Sequence, residues 1–287
     1  MEESKKPKKR GQVLYIVVLI ILIVVFAVSA GMLIKYFVES ARSQQTYSDI
    51  KNAVGDYTRP APKPTTATEP DETTAPTEEG MGPMATVFNP RTGQQMQVLQ
   101  QFAALYQQNP DLVGWISIPG TRIDYPVVQR PEAADYYLYR DFYGKHDSHG
   151  CIYAREVCDI FRPSDNITMY GHRMRDMTMF AELTKFQSLD FVKDNPYIYF
   201  DTLREYHSYK IVYVLTTSSS VGTGFAYHQY VDAVGQADFD AFIASCEKWK
   251  LFDTGETVQY GDKLITLSTC EYTHENGRLV VVAKRVE

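Results

Sequence analysis

Two residues near the C-terminus, Cys270 and Arg278, are of the types that carbonyl chemistry needs. Residues 265–270 and 277–284 are rich in β-branched and aliphatic side chains, and a short polar run separates them. This pattern predicts two strands joined by a turn, with Cys270 ending the first strand and Arg278 beginning the second. A thiol nucleophile and a permanent cation would then lie at the mouth of one hairpin. Attack on a carbonyl also requires a base and a donor that stabilises negative charge on oxygen.

The base must come from one of six histidines. His172 is favoured because it follows a predicted strand, and Gly171 would let the chain turn sharply before it. His274 is nearer to Cys270 in sequence, but it falls in the predicted turn, where a solvated polar residue is the plainer interpretation. Taken singly, His172 is also explained as a structural residue, Arg278 as a surface cation and Cys270 as a small buried hydrophobe.

Short strands are the main elements that must position these residues. Runs typical of strands, separated by Gly, Pro, Asn or Asp, lie at residues 112–118, 123–128, 151–153, 167–169, 197–200 and 209–215. Apolar residues at helical spacing predict helices at 94–108 and 239–250, with short helical pieces at 179–186 and 188–193. Many short strands with few helices predict a mainly β protein, built as a closed or nearly closed barrel.

The N-terminus is predicted to anchor this domain in the cell membrane. A basic tail, residues 1–12, precedes an apolar segment, 13–38, that is long enough as a helix to cross a hydrocarbon core of about 30 Å. The basic side is expected in the cytoplasm and the catalytic domain, 91–287, outside the cell, in a single-pass arrangement. A cleaved signal peptide is the alternative, because residues 27–30 resemble a cleavage site. Residues 39–90, rich in Pro, Thr and Glu, are predicted to form an extracellular linker.

Charge and cysteine content exclude several other classes. The net charge is −6, and because the N-terminal tail is basic, the remainder is more acidic still, which argues against a nucleic-acid partner. Four cysteines are too few for a dense disulfide framework. Free thiols are the favoured interpretation for Cys151 and Cys158, and because the domain is expected outside the cell, a disulfide between them is the alternative.

The run Thr266-Leu267-Ser268-Thr269-Cys270, followed by Arg278 at the start of the next strand, resembles the sortases, the cysteine transpeptidases of Gram-positive cell surfaces. The resemblance is to class B in particular and extends over residues 94–286. It includes, in order, Gly114-Trp115-Ile116, Gly120-Thr121, Asp124-Tyr125-Pro126-Val127-Val128-Gln129, Tyr170-Gly171-His172 and Met179-Phe180.

This resemblance implies a sortase-type closed eight-stranded β-barrel, with an N-terminal helical segment and a helix before the last two strands. It implies that Cys270 attacks the threonine carbonyl of a C-terminal sorting motif on a surface protein and forms a thioacyl-enzyme. His172 would protonate the leaving amine, and Arg278 would hold the substrate and stabilise the oxyanion. Cations at His172 and Arg278 would also favour the thiolate form of Cys270. An amine of a peptidoglycan precursor, or of a pilin, would resolve the intermediate. The expected reaction needs no cofactor and no metal ion.

By the same resemblance, Ser268, Thr269 and Glu271 would line the substrate groove. The alternatives are an inward-facing strand residue for Ser268 and a solvated turn acid for Glu271. Residues 218–235 are interpreted as the specificity loop. The family often has an asparagine a few residues before the pair that here is Tyr137–Leu138. Residues 133–135 of this chain are Ala-Ala-Asp, so one substrate contact of the family lacks its residue.

Two rival interpretations centre on Cys151. Ser148-His149-Gly150-Cys151 resembles the Ser-x-Gly-Cys motif of L,D-transpeptidases, which would make Cys151 the nucleophile of a cell-wall cross-linking enzyme. Against this, residue 153 is tyrosine where that family has arginine, and Gly171-His172 follows the cysteine where that family places its histidine before it. The other rival is a non-enzymatic binding module or zinc site at His146, His149, Cys151 and Cys158, whose spacing fits no usual zinc finger.

Overall fold

The structure, a computed structural model, describes residues 9–55, 59, 82–218, 224–272 and 276–286. It divides into two units, Met1–Gln44 and Gln45–Glu287. The described helices are α1 Lys9–Val54, α2 Gln100–Gln108, α3 Leu189–Asp194 and α4 Gln236–Trp249, with short 3-10 helices at Ala181–Gln187 and Tyr227–Gln229.

The strands, in chain order, are β1 Met84–Phe88, β2 Gln95–Leu99, β3 Leu112–Ser117, β4 Asp124–Val128, β5 Ile152–Ala154, β6 Asn166–Tyr170, β7 Tyr197–Thr202, β8 Ser208–Ser218, β9 Leu264–Glu271 and β10 Gly277–Arg285. β1 and β2 form a separate two-stranded sheet. The other eight strands close a barrel in the order β10-β8-β7-β3-β4-β5-β6-β9, in which only the β4–β5 and β6–β9 pairs are parallel within the described residues. The prediction of a closed eight-stranded barrel with a helix before its last two strands is confirmed.

The N-terminal helix α1 is apolar and exposed over its first half. Most of its large apolar side chains between Val13 and Val38 are exposed, and the described helix is long and apolar enough to cross a membrane. This composition is compatible with a membrane anchor and with a signal sequence. Both the end of α1, at Val54, and the start of β1, at Met84, fall inside residues 39–90, the predicted linker. Most of the remaining linker lies outside the described residues, and the domain boundaries stay a prediction.

The last turns of α1, from Gln45 onward, belong to the unit that contains the barrel. Tyr47 and Ile50 are buried in its core. The Tyr47 hydroxyl donates to the Gly150 carbonyl at 2.5 Å and lies 3.2 Å from the Cys151 sulfur. The Tyr47 ring also packs edge-on against Tyr125, with ring centroids 5.4 Å apart. The chain from residue 45 to 54 is therefore part of the packed domain.

One predicted element is wrong in part. Residues 94–108 were expected to form a helix, but Gln95–Leu99 forms β2, which pairs with β1, and only Gln100–Gln108 is helical. Apolar residues at 96 and 98 fit a two-residue period, and together with Leu99 they also fit a helical one. The partner strand β1 decides between the two periods, and β1 was not recognised in the sequence.

Two buried clusters hold the barrel together and fix its last two strands. One joins the barrel strands to α1, α2 and the β1–β2 sheet, and the other joins β8, β9 and β10 to helix α4. In the second cluster Phe242 and Cys246 of α4 lie together with Val280 and Val282 of β10. Because both faces of β10 are covered in this way, the strand is buried along most of its length and its register is strongly specified.

Candidate active site

Cys270 and Arg278 lie directly opposite each other on neighbouring strands. They are cross-strand partners in the antiparallel β9–β10 pair, and each is partly exposed. Directly opposed residues project from the same face of a sheet, with Cβ atoms about 5 Å apart. The Arg278 guanidinium donates to the Gly277 carbonyl at 3.0 Å, so it is held at the mouth of the hairpin. The prediction of a β-hairpin with the thiol and the cation at its mouth is confirmed.

His172 reaches the same end of the barrel through the parallel pairing of β6 with β9. Tyr170 pairs with Ser268, and the Gly171 amide continues this ladder by donating to the Ser268 carbonyl at 3.2 Å. Two positions after Tyr170 the chain reaches His172, and two positions after Ser268 it reaches Cys270. Both are candidate site residues. The register of β6, β9 and β10 thus places the positions of His172, Cys270 and Arg278 at the same end of the barrel.

Gly171 is required for close approach rather than for a sharp turn. A Cβ atom at this position would lie 2.5 Å from Ile152 Cδ1 and 2.7 Å from Phe180 Cγ, both buried side chains. Its φ does not lie in the left-handed region. The Thr269 hydroxyl also donates to the Gly171 carbonyl at 2.8 Å, which fixes the backbone just before His172. The sequence interpretation selected the correct glycine for a different physical reason.

The His172 ring is held by the segment that precedes β5. Its Nε2 lies 2.7 Å from the Leu138 carbonyl, and its ring packs on Tyr139 with centroids 5.3 Å apart. A carbonyl only accepts, so Nε2 must carry the proton, and in the neutral ring Nδ1 is then the basic nitrogen. Burial lowers the His172 pKa, the charge of His149 lowers it further, and the bond to Leu138 opposes both. The lowered pKa favours the neutral form of the ring, in which Nδ1 can accept a proton.

The three predicted substrate-binding residues are all buried. The Ser268 hydroxyl lies 2.6 Å from the Tyr227 hydroxyl, and the Thr269 hydroxyl bonds to Gly171. Glu271 is only 4% exposed, and its carboxylate lies 3.8 Å from the Arg173 guanidinium. Glu271 is thus a buried, ion-paired residue at the end of β9 and does not fit the alternative of a solvated turn acid.

Tyr227 lies beside the site but was not among the predicted site residues. It belongs to the predicted specificity loop, of which residues 219–223 fall outside the described part of the chain. Its pKa is raised chiefly by burial and also by Cys270, while the hydrogen bond to Ser268 and the charge of Arg278 act in the opposite direction. Its hydroxyl lies 2.6 Å from that of Ser268, two residues before Cys270 on β9. In the sequence, the only feature that could have indicated Tyr227 as a site residue is its aromatic side chain, in a loop that also contains Phe225 and Tyr230.

The other three cysteines are buried free thiols, and burial raises the pKa of Cys151, Cys158 and Cys246. Cys151 lies beneath Tyr47, and the nearby His149 ring is engaged by two carboxylates. Over the described residues, no group of three or more His, Cys, Asp or Glu side chains is arranged to hold a metal ion. His274 lies outside the described residues.

Iodoacetamide is expected to alkylate Cys270 in the folded protein and to leave the three buried cysteines unmodified. Alkylation requires an accessible thiolate, and a raised pKa keeps a buried thiol protonated. Peptide mapping by mass spectrometry after brief labelling checks this expectation, and labelling in denaturant is the control in which all four cysteines react. Preferential labelling of Cys151 would instead support the L,D-transpeptidase-like interpretation.

Comparisons with known proteins place this arrangement in a family. A model of the sortase domain matches residues 116–286. Sortase B of Staphylococcus aureus is 32% identical over 200 residues, covering 67% of this chain and 78% of that protein.

Solved structures agree in fold. Sortase B from B. anthracis in complex with AAEK1 gives a TM-score of 0.65 at 28% identity, over 88% of this chain and 99% of that chain. A sortase B complexed with triglycine gives a TM-score of 0.59 at 28% identity, over 65% of this chain and 86% of that chain. The region matched by the sortase-domain model, residues 116–286, includes strands β6, β9 and β10. On sequence and fold together, the chain belongs to the sortase family and is a cysteine transpeptidase of the sortase B type.

Proposed function

We propose that the chain cleaves a C-terminal sorting motif after its threonine and transfers the surface protein to an amine of the cell wall, using Cys270, His172 and Arg278. The observation behind this proposal is the register of β6, β9 and β10, in which Cys270 pairs with Arg278 and Tyr170, two residues before His172, pairs with Ser268, two residues before Cys270. Cys270, His172 and Arg278 supply a nucleophile, a neutral base and a fixed cation, which are the three groups that acyl transfer through a thioester requires.

In the first half-reaction, the Cys270 sulfur attacks the threonine carbonyl carbon while neutral His172 takes the thiol proton. The carbon–sulfur bond forms, and the carbonyl oxygen becomes an anion that Arg278 stabilises. The carbon–nitrogen bond then breaks, and His172 returns the proton to the leaving amine. The product is a thioester between Cys270 and the threonine of the surface protein.

In the second half-reaction, an incoming amine attacks the thioester. His172 removes a proton from the amine and returns it to the Cys270 sulfur as the carbon–sulfur bond breaks. The amine of a peptidoglycan precursor is the acceptor that we favour, with a pilin amine as the alternative. The sortase B complexed with triglycine supports a short, unhindered glycine amine as the acceptor type.

The substrate groove is proposed to run along the end of β9. The buried Ser268, with Tyr227 beside it, would underlie one side of the groove, and the buried Glu271 with its partly exposed partner Arg173 would underlie the other. Thr269 contributes indirectly, because its hydroxyl is bonded to the backbone at Gly171. A polar groove next to the thiol suits an extended peptide whose backbone amides need hydrogen-bond partners.

The proposed place of work is the outer surface of the cell membrane. Helix α1 would be a single-pass anchor, with the basic N-terminal tail in the cytoplasm and residues 91–287 outside. This topology is supported by the apolar composition of α1 and by the basic residues before it.

A peptide library varied around a Pro-x-Thr core is expected to identify the sorting motif. With triglycine as the acceptor, cleavage should occur on the carboxyl side of threonine and yield a new threonine–glycine amide, both detected by liquid chromatography and mass spectrometry. A library with threonine replaced by valine, which replaces the hydroxyl with a methyl group of similar size, is the control. Cleavage at other positions, or products that never contain triglycine, would contradict the proposed transpeptidation.

A further inference from the structure

His149 is a buried histidine with a carboxylate on each ring nitrogen. Its side chain is 1% exposed. Its Nδ1 lies 3.1 Å from Asp147 Oδ1, and its Nε2 lies 2.9 Å from Asp176 Oδ2. The contact with Asp147 is local in sequence, whereas the contact with Asp176 joins two separate segments of the chain.

This geometry requires a charged ring. An ionised carboxylate only accepts hydrogen bonds, and a neutral imidazole has one donor nitrogen and one acceptor nitrogen. A neutral His149 would therefore turn a lone pair toward one of the two carboxylates. Only the imidazolium, with a proton on both nitrogens, satisfies both contacts, and ion pairing offsets the cost of burying its charge.

The two joined segments are the ones that hold His172. The first segment, residues 137–151, provides the Leu138 carbonyl and the Tyr139 ring that contact His172. A hydrogen bond joins the two ends of this segment, because the Cys151 amide donates to the Tyr137 carbonyl at 3.1 Å.

The second segment begins with His172 itself. It is closed where the Phe180 amide donates to the His172 carbonyl at 2.9 Å. Within it, Asp176 Oδ1 accepts from the Thr178 hydroxyl at 2.6 Å, which leaves Oδ2 facing His149. The bond between His149 and Asp176 therefore connects the support of His172 to the segment that begins with it.

We propose that His149 is a positioning residue for His172. Its imidazolium joins the two segments and thereby keeps His172 Nε2 hydrogen-bonded to the Leu138 carbonyl. This inference rests on the role of His172 in the proposed function. His149 is buried between its two carboxylate partners and acts through His172 rather than on the reacting atoms.

The electrostatics agree with the geometry. Burial lowers the His149 pKa, but the hydrogen bonds and charges of Asp147 and Asp176 outweigh it, so the pKa is raised overall. The titratable groups that face His149 are Asp147 on its own segment, and Asp176 and His172 on the other. The folded-state pKa of His149 is above the ordinary value of about 6.5. The contribution of the His149 ion pairs to the stability of the fold is therefore complete below about pH 6.5, and it is lost as pH rises through the folded-state pKa.

Two variants separate this role from a purely structural one. His149→Gln has at most one donor group and one acceptor oxygen, so it cannot donate to both carboxylates, and kcat is expected to fall about tenfold to a hundredfold with little change in KM. Asp176→Asn keeps Oδ1 for Thr178 and places an amide donor opposite His149 Nε2, which matches a neutral imidazole. We expect Asp176→Asn to lose less kcat than His149→Gln and to lose the dependence of kcat on His149 protonation at alkaline pH.

The readouts are peptide cleavage as a function of pH and NMR titration of the histidine rings, with melting temperatures to verify folding. The His172 pKa is expected to rise in both variants, because each removes the His149 cation. If His149→Gln does not fold, Asp176→Ala replaces it and should lose kcat similarly. A folded His149→Gln protein with wild-type kcat, or a wild-type His149 that titrates as neutral at pH 6, would overturn the proposal.

A failure of the proposed function is distinguishable from a failure of this inference. If His172→Ala retains peptide cleavage, the role of His172 in the reaction is wrong. The NMR titration would still report whether His149 is an imidazolium between two carboxylates. If His172→Ala is inactive while His149→Gln is fully active, only the positioning role is wrong.

Discussion

Replacing Cys270 by alanine is expected to abolish peptide cleavage, with a loss of turnover of more than about a thousandfold. The methyl group of alanine cannot form the thioester, and no other cysteine of the chain is both accessible and beside His172 and Arg278 in the described structure. Cleavage of a fluorescent sorting peptide, followed over hours at high enzyme concentration, measures the residual rate.

Cys151→Ala is the matched control for this result. The Cys151 side chain is 1% exposed and packs beneath Tyr47, so its removal should reduce the free energy of unfolding by about 1 kcal/mol. Turnover at a temperature well below the melting point should stay within a factor of a few of wild type. Full activity in Cys270→Ala together with an inactive but folded Cys151→Ala would move the nucleophile to Cys151.

Arg278→Lys is expected to lower kcat/KM about a hundredfold, even though the positive charge is kept. The Arg278 guanidinium already donates to the Gly277 carbonyl from one nitrogen, and its planar fork leaves other N–H groups for an oxyanion. An ammonium group is a point charge on a flexible stem and does not hold both partners in a fixed geometry. Kinetics with a sorting peptide measures the loss.

The control for this substitution is Arg285→Lys, on the same strand but at the far end of the barrel. Arg285 pairs in register with Tyr209 of β8, remote from the hairpin mouth. Its substitution should leave kcat/KM unchanged. Equal losses in the two variants would indicate a general effect on β10, and wild-type kinetics in Arg278→Lys would remove Arg278 from the chemistry.

The parts of the site that depend on neighbouring residues in one hairpin were predictable from the sequence. Apolar β-branched runs on both sides of a short polar loop are enough to place Cys270 opposite Arg278. The pairing of β6 with β9 joins residues about a hundred positions apart, and no local pattern encodes it. His172 was therefore selected by its strand-end position and by the resemblance to the sortases.

What the sequence could not show are contacts that only the assembled fold creates. Glu271 was placed in a solvated turn or in the groove, but its burial against Arg173 depends on the segment after β6. In the sequence, His149 is interpreted only as part of a motif around Cys151. Its second carboxylate partner, Asp176, lies 27 residues away and reaches it only in the assembled fold. Tyr47 falls inside residues 39–90, the predicted linker, and its burial is accompanied by a contact with Gly150, 103 residues away.

The measurement that tests the central claim most directly is the intact mass of the wild-type protein during reaction with a sorting peptide in the absence of an acceptor amine. The account predicts an added mass equal to the peptide fragment that ends in threonine. This mass should map to the peptide containing Cys270 and be released by hydroxylamine, as a thioester is. Rapid product formation with no adduct at any time, or an adduct on Cys151 instead, would contradict a thioacyl-enzyme at Cys270.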